Sequence, residues 1–347
     1  MNVLSLFDGM SCGRIALERA GFKVDKYYAS EIDKHAIKVT MANYPDTIQL
    51  GDVRNVKGDE LGWIDLVAGG SPCQGFSFAG DMLAFDDPRS VLFFEFMRIL
   101  NEARKVNPDV LFLLENVRMK KEHEQVITNV LGVRPIRLNS SLVSAQERKR
   151  LYWTNIPVNT IPKNRAITMR SILESNVDEK YHIREDLLNK ISRHIDNDIA
   201  IVNIDGEFKS NQNKVGCLTA GGNSGGNHSD MDLLVYKKPT YGKPIQMSKS
   251  LESGGQQPFQ QNRVYSSESR SPALLSQLSG GSHIIIDNYR VRRLTPIECE
   301  RLQTMPDNYT NHVSDTQRYK MLGNGWTVDI VAHIFSHIPK QLPHQKP

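Results

Sequence analysis

The chain of 347 residues predicts an α/β protein: an open parallel sheet with a smaller, loop-rich β domain inserted into it. Three observations predict this. Up to about residue 155, β-branched and aromatic runs alternate with segments of helical apolar spacing, the pattern of a parallel sheet. Near residue 157 the texture shifts to Asn, Ser, Gly and Gln with short β-like runs such as "IAIVNI", "DLLVY" and "HIIIDNY". From "RVRRLTPIECERLQ" onward helical texture returns, so the C-terminal segment is expected to rejoin the first domain. The expected boundaries are 1–157 with 289–347 for the large domain and 158–288 for the insertion.

"NVLSLF" opens the chain as a strand, and "GMSCGRIALERAGF" follows as a helix with Ile15, Leu17 and Ala20 on its apolar side and Gly21 as its stop. "KYYASEI" is the second strand and "KHAIKVTMANY" the second helix, ended by Pro45. "IQLGDVRNV", "IDLVAGGSP" and "DVLFLLENV" supply three further strand cores. "SVLFFEFMRILNEARKV" is the clearest helix, with Leu92, Phe93, Phe96, Ile99 and Leu100 along one face. Near the end, "TPIECERLQTM" and "TVDIVAHIFSHI" read as amphipathic helices.

Composition narrows the class. No apolar run approaches the roughly 20 residues that cross a bilayer, and "MNVLSLFDGM" lacks the basic lead of a targeting segment, so a cytoplasmic protein without a membrane partner is expected. A net charge of +4 permits a polyanionic partner without requiring one. Cys12, Cys73, Cys217 and Cys299 are scattered, with no CxxC pair, which argues against a zinc site or any other metal centre.

In an open parallel sheet, ligands sit beyond the carboxyl ends of the strands. After the first strand comes Phe7-Asp8-Gly9 with Gly13 at the helix opening; after the second, Glu31 and Ile32; after the third, Asp52 and Val53. Either acid alone reads as a helix cap or a solvated charge. In sequence order, with the glycine turn, they suggest an adenosine-containing ligand, Glu31 reaching ribose and Asp52 an exocyclic amine.

After the fourth strand comes "GGSPCQGFSFAG". Most intracellular cysteines are buried structural thiols, but Cys73 sits between Pro72 and Gln74, with Gly69, Gly70 and Gly75 allowing close backbone approach. After the fifth strand comes Glu115, an acid able to work opposite a thiol nucleophile. "SAQERKRLYW" then offers Arg148 and Arg150, two residues apart and on one side of an extended segment. They read either as a solvated basic strand or as an anion or carbonyl clamp.

These motifs together resemble the C5-cytosine DNA methyltransferases over nearly the whole chain. "LSLFDGMSCG", "SEID" and "GDVRNV" look like the cofactor motifs, "GGSPCQGFS" the Pro-Cys motif, and "LLENV" the Glu-Asn-Val motif. "QERKR" fits Gln-x-Arg-x-Arg, while "RRLTPIECERLQTMPDNY" and "MLGNGWTV" resemble the closing pair. Two departures stand out: Ser11 replaces the second glycine of the first turn, and "GNGWTV" stands where Gly-Asn-Ser-Val is common.

The resemblance implies a Rossmann-like S-adenosylmethionine-dependent methyltransferase sheet, with Phe7, Asp8, Gly9, Gly13, Glu31, Ile32, Asp52, Val53, Pro72 and Asn324 around the cofactor. It implies that Cys73 adds to C6 of a cytosine flipped from double-stranded DNA, with Glu115 at N3 and the exocyclic amine, and Arg150, secondarily Arg148, at O2. Gln74 and Ser77 would flank the base and phosphate. In the insertion, Gln256 or Gln257 would fill the hole left by the base and Arg263 would read guanine. A compact chain suits a bacterial or phage enzyme acting as a monomer, with a cognate restriction endonuclease or as an orphan. A tRNA cytosine methyltransferase, a non-catalytic binding module on the same fold and a nicotinamide-dependent dehydrogenase are the rival readings. The dehydrogenase lacks a full GxGxxG and leaves Cys73 without a role.

Overall fold

The computed structural model describes residues 1–71 and 91–181, the short strands at 201–202, 233–234, 264–266, 271–272, 284–287 and 290–293, and residues 294–340. Pro72, Cys73, Gln74, Ser77, Gln256, Gln257 and Arg263 lie outside the described residues. The chain divides into two compact units, Met1–Ser140 with Lys149–Lys163 and Gly325–Pro347, and Ser141–Arg148 with Asn164–Asn324.

The first unit is a mixed α/β layer built on seven strands: β1 (Asn2–Leu6), β2 (Lys26–Ser30), β3 (Ile48–Gln49), β4 (Leu66–Gly69), β5 (Leu111–Val117), β6 (Ile136–Asn139) and, after the two-residue β7 (Gln146–Glu147) of the other unit, β8 (Lys149–Thr154). Their order is β3-β2-β1-β4-β5-β8-β6. The first five are parallel, whereas β8 runs antiparallel to both β5 and β6. Because β1 pairs with β2 on one side and β4 on the other, the winding reverses at β1, and a crevice opens beyond its carboxyl end.

Helices α1 (Cys12–Arg19), α2 (Lys34–Asn43), α3 (Val91–Val106) and α4 (Lys121–Leu131) connect these strands. The helical face expected in α3 is the buried one: Phe93, Phe96, Ile99 and Leu100 are within 1% of full burial. The Phe96 ring lies 3.2 Å from where a Cβ on Gly69 would stand, and the Leu6 carbonyl 2.9 Å from it, so only glycine fits at this end of β4. Truncating Phe96 would cost about 3–5 kcal/mol and loosen the strand end that leads toward Cys73. The third strand is shorter than its apolar run, since Gly51 turns left-handed at φ +73° and Asp52 caps a 3-10 turn over Val53–Asn55. After Gly325, α7 (Val328–Phe335) packs on α1 within the same unit, and Arg19 pairs with Asp329 at 2.6 Å.

The second unit holds α5 (Pro296–Leu302), started by a Thr295–Glu298 capping box, and α6 (Asp315–Asn324). Its short strands pair 201–202 with 233–234, 271–272 with β7, and 264–266 with 284–287 and 290–293. Glu300 and Arg318 form a buried ion pair at 3.0 Å, with Thr310 also donating to Glu300.

Candidate active site

Beyond β1 the chain turns through Phe7, Gly9 and Ser11, all with positive φ, at 55°, 61° and 60°. Ser11 adopts at some cost a conformation natural to glycine, and its hydroxyl offsets this by donating to Asp8 Oδ2 at 2.6 Å and lying 3.0 Å from Thr40 Oγ1. The departure from the family's glycine is thus compensated locally. Asp8 is buried and also accepts from Tyr27 Oη at 2.7 Å. Burial pushes its carboxyl up to about 6, against the lowering effect of these hydrogen bonds.

Glu31, at the end of β2, closes the turn: Oε2 accepts from the Gly9 N–H at 2.8 Å, while Oε1 accepts from Ile32 and Asp33 N–H at 2.7 and 2.8 Å. Beside it the Ile32 side chain is 74% exposed, an apolar plate next to a fixed carboxylate. Asp52 stands at the next strand end, and hydrogen bonds from Arg54 hold its carboxyl down to about 2, so it is an anion at any physiological pH. Val53, in contrast, is buried in the core, leaving only its backbone for a ligand.

Across the switch point, β4 ends at Gly69-Gly70-Ser71. A Cβ on Gly70 would come within 3.0 Å of Trp326 Nε1 and 3.1 Å of Glu115 Oε2. The same indole lies 3.4 Å from a Cβ position on Gly13. Trp326 therefore stands among the opening of α1, the end of β4 and the Glu115 carboxylate. Its position is fixed by the next residue, Thr327, whose hydroxyl is hydrogen-bonded to Ser140 at 2.8 Å. The family resemblance implies Asn324 as the cofactor residue of this segment; it is exposed at the end of α6. The signal for Trp326 was a lone aromatic in a glycine-flanked motif.

Glu115 is 8% exposed on β5, and strand register sets Arg150 opposite Val117. Arg150 Nε lies 3.0 Å from Glu115 Oε1, yet the N–H is not aimed at that oxygen and makes no hydrogen bond. The two form an ion pair with hydrogen-bonding capacity left over. Asn116 reaches Ser71 through Nδ2, 3.3 Å from Oγ, tying β5 to the segment that precedes Pro72.

Arg148 differs. The extended segment is interrupted at this residue, between β7 and β8. Arg148 is 4% exposed and donates from Nη1 to the Gly323 carbonyl at 3.2 Å. Gln146 and Ser144 likewise donate to the Leu302 carbonyl, at 3.1 and 2.5 Å. Among the described residues no group of His, Cys, Asp and Glu is arranged to hold a metal ion, and no helix is long and apolar enough to cross a membrane.

This sheet, with its open strand ends, has the fold of methyltransferases in solved structures. The chain matches Entamoeba histolytica methyltransferase EhMeth with a TM-score of 0.63 at 15% identity, covering 97% of each chain. S. pombe Dnmt2 gives 0.61 at 17% identity, again over 97% of each chain. The family model for C-5 cytosine-specific DNA methylase matches residues 1–340, and the chain belongs to that family. Among its relatives it is 29% identical to the type II methyltransferase M1.ScrFI of Lactococcus lactis subsp. cremoris, over 99% of this chain and 79% of that one. It is 25% identical to the orphan methyltransferase M.SPRI of Bacillus phage SPR, over 97% of each.

Proposed function

We propose that the protein methylates C5 of a cytosine flipped out of duplex DNA, with Cys73 as nucleophile and Glu115 and Arg150 as the groups that act on the base. The observation that carries this reading is the Glu115–Arg150 pair at the ends of β5 and β8. A cytosine offers N3 and an exocyclic amine on one edge and a carbonyl at C2. A carboxyl group beside a guanidinium matches that edge.

Cytosine C5 is too poor a nucleophile to be alkylated directly. A thiolate adding at C6 pushes an electron pair toward N3 and O2, and C5 gains enamine character. Glu115 hydrogen-bonds N3 and the amine, supplying a proton as charge builds there. Arg150 faces the growing charge on O2. After methylation, a base, such as a solvent water, takes the C5 proton, the thiolate is eliminated and the N3 proton returns to Glu115, which restores the aromatic ring and frees Cys73.

The residues at the cofactor end fit S-adenosylmethionine. Glu31 and exposed Ile32 offer a carboxylate and an apolar plate to a nucleoside, Asp52 a second acceptor, and Trp326 an aromatic wall beside Gly13 and Gly70. When bound, the cofactor supplies an electrophilic methyl group. Phe7, Asp8, Gly9, Gly13 and Val53 shape the cleft by backbone and packing, and the family resemblance adds Pro72 and Asn324 as further cofactor residues. Arg148 holds the Gly323 carbonyl within the second unit, and the resemblance gives it a role at O2 secondary to Arg150. Residues 158–288 would form the target-recognition domain inserted in the catalytic domain of 1–157 and 289–347, with Gln256, Gln257 and Arg263 toward the bases and Gln74 and Ser77 beside the flipped nucleotide. A cytoplasmic monomer, paired with an endonuclease or standing alone, completes this reading.

Tritiated-methyl transfer to duplex DNA and to tRNA, run side by side, tests it. Label on DNA that is lost in Cys73→Ser is the expected result. Label on tRNA alone overturns the DNA assignment.

A further inference from the structure

Directly after the Glu-Asn-Val motif the sequence reads "RMKKEH", a run the proposed chemistry does not use. Met119 turns inward and is 8% exposed. Arg118 and Lys121 are exposed and Lys120 half-buried. None of the three basic side chains forms an ion pair or hydrogen bond with the other described residues. This is unlike the charges deeper in the same layer, where Glu124 is paired with Arg137. Exposed Glu122 is the one acid within the run itself.

The fold places this run where a nucleic acid strand would have to pass. Arg118 follows Glu115 by three residues, so their Cα atoms stand no more than about 10 Å apart. Strand register adds further cations at the same end of the sheet: Arg150 lies opposite Val117, and exposed Lys149 opposite Asn139 on β6. A base inserted against Glu115 carries its own sugar-phosphate with it, and the phosphates on either side must lie along the rim of the pocket.

We infer that Arg118, Lys120 and Lys121 form a phosphate rail for the DNA strand that carries the target cytosine, gripping the backbone next to the flipped nucleotide. This rests on the duplex-DNA reading above. Such contacts position the strand without reading its sequence. They act by displacing condensed counterions, so the affinity each contributes falls as salt rises.

The test is the salt dependence of binding of the full chain to a hemimethylated or unmethylated duplex, with S-adenosylhomocysteine present. Each phosphate contact contributes a slope of about −0.9 in log K against log salt concentration. The triple variant Arg118→Gln, Lys120→Gln, Lys121→Gln should flatten the slope by about 2 to 3 and raise KM for DNA more than KM for S-adenosylmethionine. Arg134→Gln, an exposed cation beyond the far end of α4, should leave the slope as it is. A triple variant that methylates DNA with the wild-type slope overturns the rail alone, as does equal flattening in Arg134→Gln. A wild-type protein that neither binds nor methylates duplex DNA, or that binds RNA instead, overturns the duplex reading and the rail with it.

Discussion

The two halves of the strand-end crevice handle charge in opposite ways. Beyond β1, β2 and β3, each acid is spoken for within the protein: Asp8 by Ser11 and Tyr27, Glu31 by three backbone N–H groups, Asp52 by Arg54. Near the carboxyl end of β5 and the start of antiparallel β8, Glu115 and Arg150 lie 3.0 Å apart without an aligned hydrogen bond. One half is shaped to hold a ligand in a fixed pose, and the other keeps donor and acceptor capacity for a base whose charge changes during reaction. Preorganisation of the first kind favours binding, and of the second kind favours the transition state.

The largest effect that could break this contrast is expected at Glu115. Glu115→Gln keeps the shape but cannot deliver a proton, and should lower the single-turnover methylation rate by about 100- to 10,000-fold, with the melting temperature little changed. A fall below tenfold would remove Glu115 from the chemistry. Next come the two arginines, which the structure separates. Arg150→Ala should cost roughly 100-fold or more in rate. Arg148→Ala should act on stability, by about 1.5–3 kcal/mol for a lost charge-assisted hydrogen bond, read from denaturant unfolding. Reversed outcomes for the pair would contradict the assignment.

Trp326→Ala probes the shared wall of both halves, since the indole approaches Gly13 on one side and Gly70 with Glu115 on the other. Weaker S-adenosylmethionine binding by about tenfold is expected, corresponding to about 1.4 kcal/mol, measurable by calorimetry. A separate effect, on the pH dependence of stability rather than on activity, concerns Asp8. Its folded carboxyl is raised from 3.8 to about 6, so between those values the native state holds more protons than the unfolded one. Stability is therefore present below about pH 4 and is lost as pH rises through 6, at roughly 1.4 kcal/mol for each unit of the shift. Asp8→Asn should flatten this part of the stability profile, and an unchanged slope would assign it elsewhere.

Much of this layout was legible because strands and their ends carry local signals. The apolar run of α3, the glycine turn after β1 and the acids after β2 and β3 stand where the alternation of strand and helix set them. What stayed hidden depends on contacts distant in sequence. Arg148 and Arg150 looked equivalent by spacing, but the strand breaks at Arg148 and its guanidinium meets Gly323, 175 residues on. Strand β6, and the antiparallel course of β8 between it and β5, needed tertiary pairing to be seen. Trp326 was visible only as a departure from Gly-Asn-Ser-Val; its packing on Gly13 and Gly70 gives that departure a position in the cleft.

Covalent trapping asks directly whether Cys73 is the nucleophile. Duplex DNA in which the target cytosine is 5-fluorocytosine cannot lose a proton from C5 after methyl transfer, so the elimination that frees the thiol is blocked. The expected product is a denaturation-resistant protein–DNA adduct that requires S-adenosylmethionine, maps to Cys73 and is absent in Cys73→Ser. Methylation of ordinary duplex DNA without any such adduct, or an adduct that persists in Cys73→Ser, would contradict this assignment.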